Sequence, residues 1–263
     1  MKLDLNCDLG EGEPSPLTRQ LMRCVTSANV ACGGHAGDLD TMAACVGLAK
    51  QFDVRLGAHP GPWSRGDFGR GPLKLAPGEL ELLLIHQVGA LERLARKERV
   101  RLHHIKLHGA LYHASESDER LTRAYLTAVR AWWPRCIVFA RAGGTVARMA
   151  RICGVRLWEE AYLDRGYRED GTLAPRGEPG AILDEERLVN QRLEKLIVNG
   201  VIETVSGRPL KLQPQTLCLH SDTPKSVQFA RRARRALDSR RWKLQFNHEW
   251  TRINTNEDTD FAE

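Results

Sequence analysis

His103-His104-Ile105-Lys106-Leu107-His108-Gly109 is the stretch on which the reading of this chain turns. As a β-strand it sends alternate side chains to opposite faces. His104, Lys106 and His108 then share one face, and His103, Ile105 and Leu107 share the other. The second face is apolar apart from His103 and suits packing under helices. The first carries only ionisable groups. An unpaired buried polar group costs about 1–3 kcal/mol, so such a face belongs either to a solvated edge strand or to a working site. Four other strand-like segments end in polar groups in the same way, which favours the working site.

Working outward, residues 2–9 alternate strictly. Leu3, Leu5, Cys7 and Leu9 face one way; Asp4, Asn6 and Asp8 face the other. A short helix is expected over 16–24 and a second strand over 27–32. That strand runs into Gly33-Gly34-His35-Ala36-Gly37, and Asp38 reads as the N-cap of a helix over 39–51. The third strand covers 54–60, closed by Pro60. Residues 61–76 are rich in Gly and Pro and form a long loop, a class that is often functional. Pro77 opens a helix to 97 with the stripe Leu80, Leu83, Leu84, Val88, Leu91 and Leu94. The fourth strand is 101–108.

A helix then runs from Ser117 to 132, and an apolar fifth strand covers 136–140. Gly143-Gly144-Thr145 starts a helix to 153; its first N–H groups could hold an anion, although two glycines also make a plain tight turn. The sixth strand covers 155–162. Residues 164–182 read as a loop or small hairpin. A helix over 184–198, a hairpin over 201–213 around Ser206-Gly207 and a seventh strand over 216–220 follow. Asp222-Thr223-Pro224 caps a last helix ending at 238.

Seven strands alternating with helices argue an α/β fold with a mainly parallel sheet. A closed seven-stranded, TIM-like (β/α) barrel is the first reading and an open doubly wound sheet the second. The 263 residues suit one barrel domain, 1–246, followed by a polar, acidic C-terminal tail, 247–263. No run of about 20 apolar residues exists, so no membrane span is expected. The chain begins directly with strand-like Lys2-Leu3-Asp4-Leu5, and a cytoplasmic location is expected. Seven scattered cysteines without C-x-x-C speak against a zinc knuckle or a disulfide framework. The formal charge of +6 gathers near Arg231-Arg232-Ala233-Arg234-Arg235 and Arg240-Arg241. No aromatic residues interleave there, so a solvated helix face is expected and not a nucleic-acid site.

The chemistry gathers at the C-terminal ends of the strands, where β/α barrels build their sites. Asp8, His35, His59, His104, Lys106, His108, Glu160, Asp164, His220 and Asp222 all fall there. His104 and His108 do not form a helical H-x-x-x-H zinc motif. Four residues of strand span about 13 Å, too far for one metal with bonds near 2 Å. A metal would need histidines from different strands, and Lys106 would set a cation against it. Lys106 and Arg165 suit an anion better, a carboxylate or a phosphate. There is no G-x-x-x-x-G-K-[ST] loop, no G-x-S-x-G elbow and no G-x-G-x-x-G after a strand.

Asp4-Leu5-Asn6-Cys7-Asp8-Leu9-Gly10-Glu11 resembles the opening signature of the LamB/YcsF family, whose members are also called the A subunit of 5-oxoprolinase. Ser27-Ala28-Asn29-Val30-Ala31-Cys32-Gly33 with His35-Ala36-Gly37-Asp38 resembles its second block. Gly57-Ala58-His59-Pro60 with Phe68-Gly69-Arg70 is similar to the third, and Lys106 with His108-Gly109-Ala110-Leu111-Tyr112 to the fourth. Glu160, Asp164-Arg165, Tyr167, Asp170-Gly171-Thr172-Leu173, Arg176 and Pro179-Gly180-Ala181 continue the likeness, and His220 with Asp222-Thr223-Pro224 closes it. The resemblance runs over residues 2–238, and it is that of a divergent member. Gly34 stands where the family usually has Phe, Leu107 where it has Pro and Ser221 where it has Gly. The segment after Gly12 is shorter. These departures bear on the shape of the pocket.

The resemblance implies a seven-stranded barrel of the glycoside hydrolase/deacetylase type. It implies ATP-dependent opening of the lactam 5-oxoproline to glutamate, with B and C subunits as partners. ATP would bind on this chain or on a partner, with a divalent metal such as Mg beside it. The expected catalytic set is Asp8, His59, Lys106, His108, Glu160 and His220. Lys106 and Arg165 would hold the phosphate or substrate carboxylate, Asp8 or Glu160 would be the general base, and the histidines would be acids or donors. Asn6, Asn29, His35, His104, Asp164, Arg165, Arg176 and Asp222 are expected to bind substrate. The rival readings are a metal-dependent deacetylase on the same barrel and a lactam-binding protein without turnover.

Overall fold

The computed structural model describes residues 3–223 and 225–239. Its strands begin with β1 (Asp4–Leu9), β2 (Ser27–Ala31), β3 (Arg55–His59), β4 (Leu102–Ile105), β5 (Ile137–Arg141) and β6 (Leu157–Tyr162). A small antiparallel hairpin, β7 (Val201–Glu203) and β8 (Pro209–Lys211), precedes the last strand, β9 (Thr216–His220). β1 to β6 and β9 are all parallel, and β9 pairs with both β6 and β1, so seven strands close into a barrel. Closure settles the choice against the open doubly wound sheet.

The helices are α1 (Ser15–Met22), α2 (Leu39–Phe52), α3 (Pro77–Lys97), α4 (Gly109–Ser117), α5 (Glu119–Trp132), α6 (Thr145–Ile152), α7 (Glu186–Asn199) and α8 (Ser226–Asp238). Asp38 caps α2 as expected, accepting from the Thr41 N–H at 2.8 Å. The α3 stripe Leu80, Leu83, Leu84, Val88 and Leu91 is buried, each such side chain stabilising by about 1.5–3 kcal/mol relative to exposure. No helix among the described residues is long and apolar enough to cross a membrane. The seven cysteines are unpaired and all but Cys153 are buried. Arg240-Arg241 and the 247–263 tail lie outside the described residues.

Four sequence expectations change. The fourth strand ends at Ile105, not at 108, although Lys106 and His108 continue the inward alternation. His103 does not stay on the outer face. The register slips between Leu56 and Gly57, which pair with Leu102 and His104, so His103 is an extra residue in a bulge. Its ring meets His104, Phe139 and Trp158 edge-on. α4 has no counterpart in the sequence reading, because its residues show no long apolar period. It starts at Gly109, where φ is +52° and a Cβ would lie 2.4 Å from the Gly69 carbonyl oxygen. Finally, Asp222-Thr223 does not cap α8. Lys225 holds that position, and Asp222 turns to Arg70 and Arg176 instead.

Gly143-Gly144-Thr145 does hold an anion, but the chain supplies it. Glu116 Oε2 accepts from the Thr145 N–H at 2.7 Å, and Glu159 Oε1 from the Gly143 N–H at 2.9 Å. Gly34 is also packed around, since a Cβ there would lie 2.5 Å from Gln87 Nε2 and from the Gly61 oxygen.

The barrel interior is polar where most β/α barrels are filled with branched apolar residues, and its groups pair with one another. Asn6 Nδ2 donates to Glu160 Oε1 (2.9 Å) and Thr216 Oγ1 (2.7 Å). Asn29 Nδ2 donates to Asn6 Oδ1 and Asp8 Oδ1, both at 2.7 Å. His104 Nε2 donates to Asn29 Oδ1 at 2.7 Å while its ring stacks on Phe139. Gly57 leaves the room for that ring, since a Cβ there would lie 2.0 Å from His104 Nε2.

Candidate active site

Above this network, at the C-terminal ends of the strands, lies a cavity of about 430 Å³. Asp8, His59, Lys106, His108, Arg165 and His220 are in its wall. They come from β1, β3, the β4 exit, the β6 exit and β9. Each group stands at the end of an alternating strand, and that local pattern delivers it inward.

Lys106 is the buried pivot. Its ammonium donates to Asp8 Oδ1 at 2.9 Å, lies 3.1 Å from Glu160 Oε1 and touches Cys218 Sγ at 3.0 Å. Burial would discharge the amine, but Asp8, Cys218 and Glu160 together outweigh burial and raise its pKa well above the usual lysine range. Two carboxylates already claim this one cation. Lys106 therefore does not serve as the anion holder expected from the sequence; it fixes Asp8. Burial likewise works against ionised Asp8, yet His59 and Lys106 prevail and hold its pKa well below the ordinary value.

His220 and Asp164 form a second unit. His220 Nδ1 lies 3.0 Å from Asp164 Oδ1, while Asp164 Oδ2 accepts from the His220 N–H (2.9 Å) and from Thr223 Oγ1 (2.8 Å). Burial disfavours charge on His220, but Asp164 and then Asp8 overcome it and raise the imidazole's pKa. Asp164, although buried, is held at about 2 by His220 and these donors. His220 Nε2 points toward Asp8 Oδ2 at 3.7 Å.

A histidine cluster forms the opposite wall. Glu11, on the turn after β1, places Oε1 2.9 Å from His35 Nε2, 3.2 Å from His108 Nδ1 and 3.6 Å from His59 Nε2. His59 Nδ1 meets the Lys106 carbonyl oxygen at 2.8 Å, and His108 Nε2 meets the Phe68 carbonyl oxygen at 2.9 Å. His35 stacks flat on His108 at 3.5 Å. Burial pushes His35 down to about 4 and also lowers His108. The Glu11 carboxyl, buried but bonded to His108 and His35, is held ionised. Carboxylate and imidazole donors from four segments thus share one spot, the arrangement a metal requires.

The mouth is positive. Arg165, 7% exposed, spends its guanidinium on the Ala181 and Ala174 carbonyls and makes no ion pair among the described residues. Arg70 and Arg176 share the single carboxylate of Asp222, at 3.2 and 3.4 Å. Three guanidinium groups against one carboxylate leave an excess of donors for an anion. The 61–76 loop brings Arg70 and Phe68. The 165–182 segment is hairpin-like, with Arg165 bridged to Ile182 and Tyr167 to Leu173.

Of the residues expected to touch substrate, Arg165 and Arg176 line the cavity, and Asp222 stands behind two of the arginines at its mouth. Asn6, Asn29, His104 and Glu160 do not line it; they are fully buried beneath, where they orient Asp8 and Lys106. Asp164 backs His220, and His35 backs His108. The sequence reading passed over Glu11 as a site residue, although it stood in the Asp4–Glu11 block. It also passed over Arg70, Cys218 and Tyr162, whose ring lies 5.2 Å from Lys106 Nζ. The inward period of β6 and β9 was the available signal for Tyr162 and Cys218.

A sequence model described as the LamB/YcsF family matches residues 3–252. A Pyrococcus furiosus protein, named as the A subunit of 5-oxoprolinase, is 40% identical over 241 residues, covering 90% of this chain and 94% of its own. A Syntrophobacter fumaroxidans protein of the same name is 40% identical over 242 residues, covering 91% and 96%. Among solved structures, the lactam utilization protein from Thermus thermophilus superposes with a TM-score of 0.83. It is 34% identical, with 90% of this chain and 97% of that one covered.

Proposed function

The chain belongs to the LamB/YcsF family, and from that premise we propose that it opens the lactam ring of 5-oxoproline to give glutamate, as the A component of an ATP-dependent 5-oxoprolinase. The observation that carries this reading is a single cavity with an arginine-rich mouth and a floor of Asp8, His59 and His220. A small cyclic amide with a carboxylate fits those two ends. The volume is at the small end of the usual range for ligand sites, about 300–1,000 Å³.

In this reading Arg165, with Arg70 and Arg176, takes the substrate's anionic group. Water adds to the lactam carbonyl carbon, and the ring C–N bond breaks. His220, kept protonated by Asp164, gives its proton to the leaving nitrogen. Asp8 orients the water from the other side. It is a weak base because Lys106 and His59 stabilise its charge, so the activation has to come largely from the electrophile. ATP supplies that by phosphorylating the lactam oxygen and leaving as ADP; the attacking water's proton passes to Asp8, ring opening leaves an acyl phosphate, and a second water splits it into glutamate and inorganic phosphate. The sequence has no phosphate-cradling G-x-x-x-x-G-K-[ST] loop, so we assign nucleotide binding, with its divalent metal, to the partner B and C subunits.

The test is glutamate release from 5-oxoproline and ATP by the purified chain, alone and with the B and C subunits. Release is expected only with the partners. Arg165→Gln should raise KM for the lactam at least ten-fold with a smaller change in kcat. Absence of glutamate from the complete assembly would overturn the assignment.

A further inference from the structure

We infer that Glu11, His59 and His108 form a binding site for one transition-metal dication, with an open position toward the cavity. The Lys106 and Phe68 carbonyl oxygens only accept hydrogen bonds, so His59 donates from Nδ1 and His108 from Nε2. That leaves His59 Nε2 and His108 Nδ1, 3.1 Å apart, both facing the cluster. His59 Nε2 also faces Glu11 Oε1 at 3.6 Å and Asp8 Oδ2 at 3.4 Å. Two ring nitrogens and two carboxylate oxygens thus converge on one spot, where a proton or a metal cation has to stand between them.

The spacing fits a metal. Tetrahedral bonds of about 2.0–2.1 Å set neighbouring ligand atoms about 3.3–3.4 Å apart. The three separations among His59 Nε2, His108 Nδ1 and Glu11 Oε1 are 3.1, 3.2 and 3.6 Å. The support around them also matches. Both histidines donate their outer N–H to a carbonyl, and His35 Nε2 lies 2.9 Å from the Glu11 oxygen. His35 stacks parallel to His108, so its lone pair cannot aim at the same centre; it is a positioning residue. The Glu11 side chain is buried, and its ion-pair partners among the described residues are these three histidines alone.

Two imidazoles and one carboxylate prefer zinc, iron, cobalt or nickel over magnesium. His59 and His108 line the cavity, so the fourth position opens to it. The site stands on geometry alone; its use, to lower the pKa of a water beside Asp8, rests on the proposed hydrolysis.

The test uses the untagged full-length chain. Metal content is measured by mass spectrometry as purified. The chelator-treated protein is then titrated calorimetrically with Zn²⁺, Mn²⁺ and Mg²⁺, with thermal melts alongside. One transition-metal ion per chain and a raised melting midpoint are expected, with Mg²⁺ at least 100-fold weaker. Glu11→Gln and His108→Ala, checked as folded by circular dichroism, should each lose at least ten-fold in affinity. Wild-type protein that takes up no zinc or manganese would overturn the inference, as would variants that bind as tightly as wild type. So would nitrogen NMR showing His59 doubly protonated with and without zinc, since a proton would then fill the cluster. Metal uptake without glutamate release in the full assembly would sink the proposed hydrolysis and leave the site standing. Full glutamate release by a chain that takes up no metal would do the reverse.

Discussion

Replacing Lys106 by Met tests the centre of the site. The substitution keeps most of the side-chain volume and removes one ammonium, which lies 2.9 Å from Asp8 and 3.1 Å from Glu160. Glu160 is then buried without a cation, and Asp8 keeps only the more distant imidazoles, such as His220 at 3.7 Å. Removing one member of a buried ion pair costs about 3–5 kcal/mol. Asn29 still donates to Asp8 and Asn6 to Glu160, which keeps the loss in that range although two acids are exposed to it. At least one of the two should respond by binding a proton. Its folded-state pKa then lies above the unfolded value, so the stability missing at neutral pH returns as pH falls through the raised value. Urea unfolding at pH 7.5 and pH 5 reads both effects. The expected deficit is about 3–5 kcal/mol at the higher pH and smaller at the lower. Adding Glu160→Gln to Lys106→Met should recover at least about 1 kcal/mol. A single-variant deficit under about 1 kcal/mol, or one equal at both pH values, would refute the pairing.

Asp164→Asn removes the carboxylate that raises His220. The imidazole then loses its proton at lower pH, so the alkaline limb of the rate profile should move to lower pH. The same change touches acid stability. Asp164 titrates at about 2 in the fold, so it contributes about 2 kcal/mol above pH 4 that disappears as pH falls toward 2; the variant should lack that acid dependence. A rate profile and an acid curve unchanged from wild type would rule out the His220–Asp164 unit. Gly57→Ala sets a Cβ 2.0 Å from His104 Nε2, and the ring is held in place by Phe139. The expected cost is about 1–3 kcal/mol by thermal unfolding, and unchanged stability would contradict the packing described around His104.

Much of this protein could be read from its letters, for local reasons. A strand's period of two is written into consecutive residues, so Asp4-Asn6-Asp8 and Thr216-Cys218-His220 betray an inward polar face without any neighbour in view. Helix starts such as Asp38 and Pro77-Gly78-Glu79 are equally local. The motif series from Asp4 to Asp222 carried the family. Where local pattern misled, a neighbour intervened. The β3–β4 slip turned His103 inward, and Asp222 was drawn from a capping role to two arginines.

What only the tertiary structure decided is which charge answers which. Lys106 and Asp8 are 98 residues apart in sequence and 2.9 Å apart in the barrel. Composition offered Lys106 as a free cation for an anion, and closure of the sheet gave it two carboxylates instead. Glu11 meets His35, His59 and His108 only because the fold brings them in from three other segments. Electrostatic pairing depends on distance through space, and in a closed barrel that distance is set by strand register and not by position along the chain. The residue types and their facing were therefore legible in the sequence, while their partners, and with them their chemistry, were fixed by the fold.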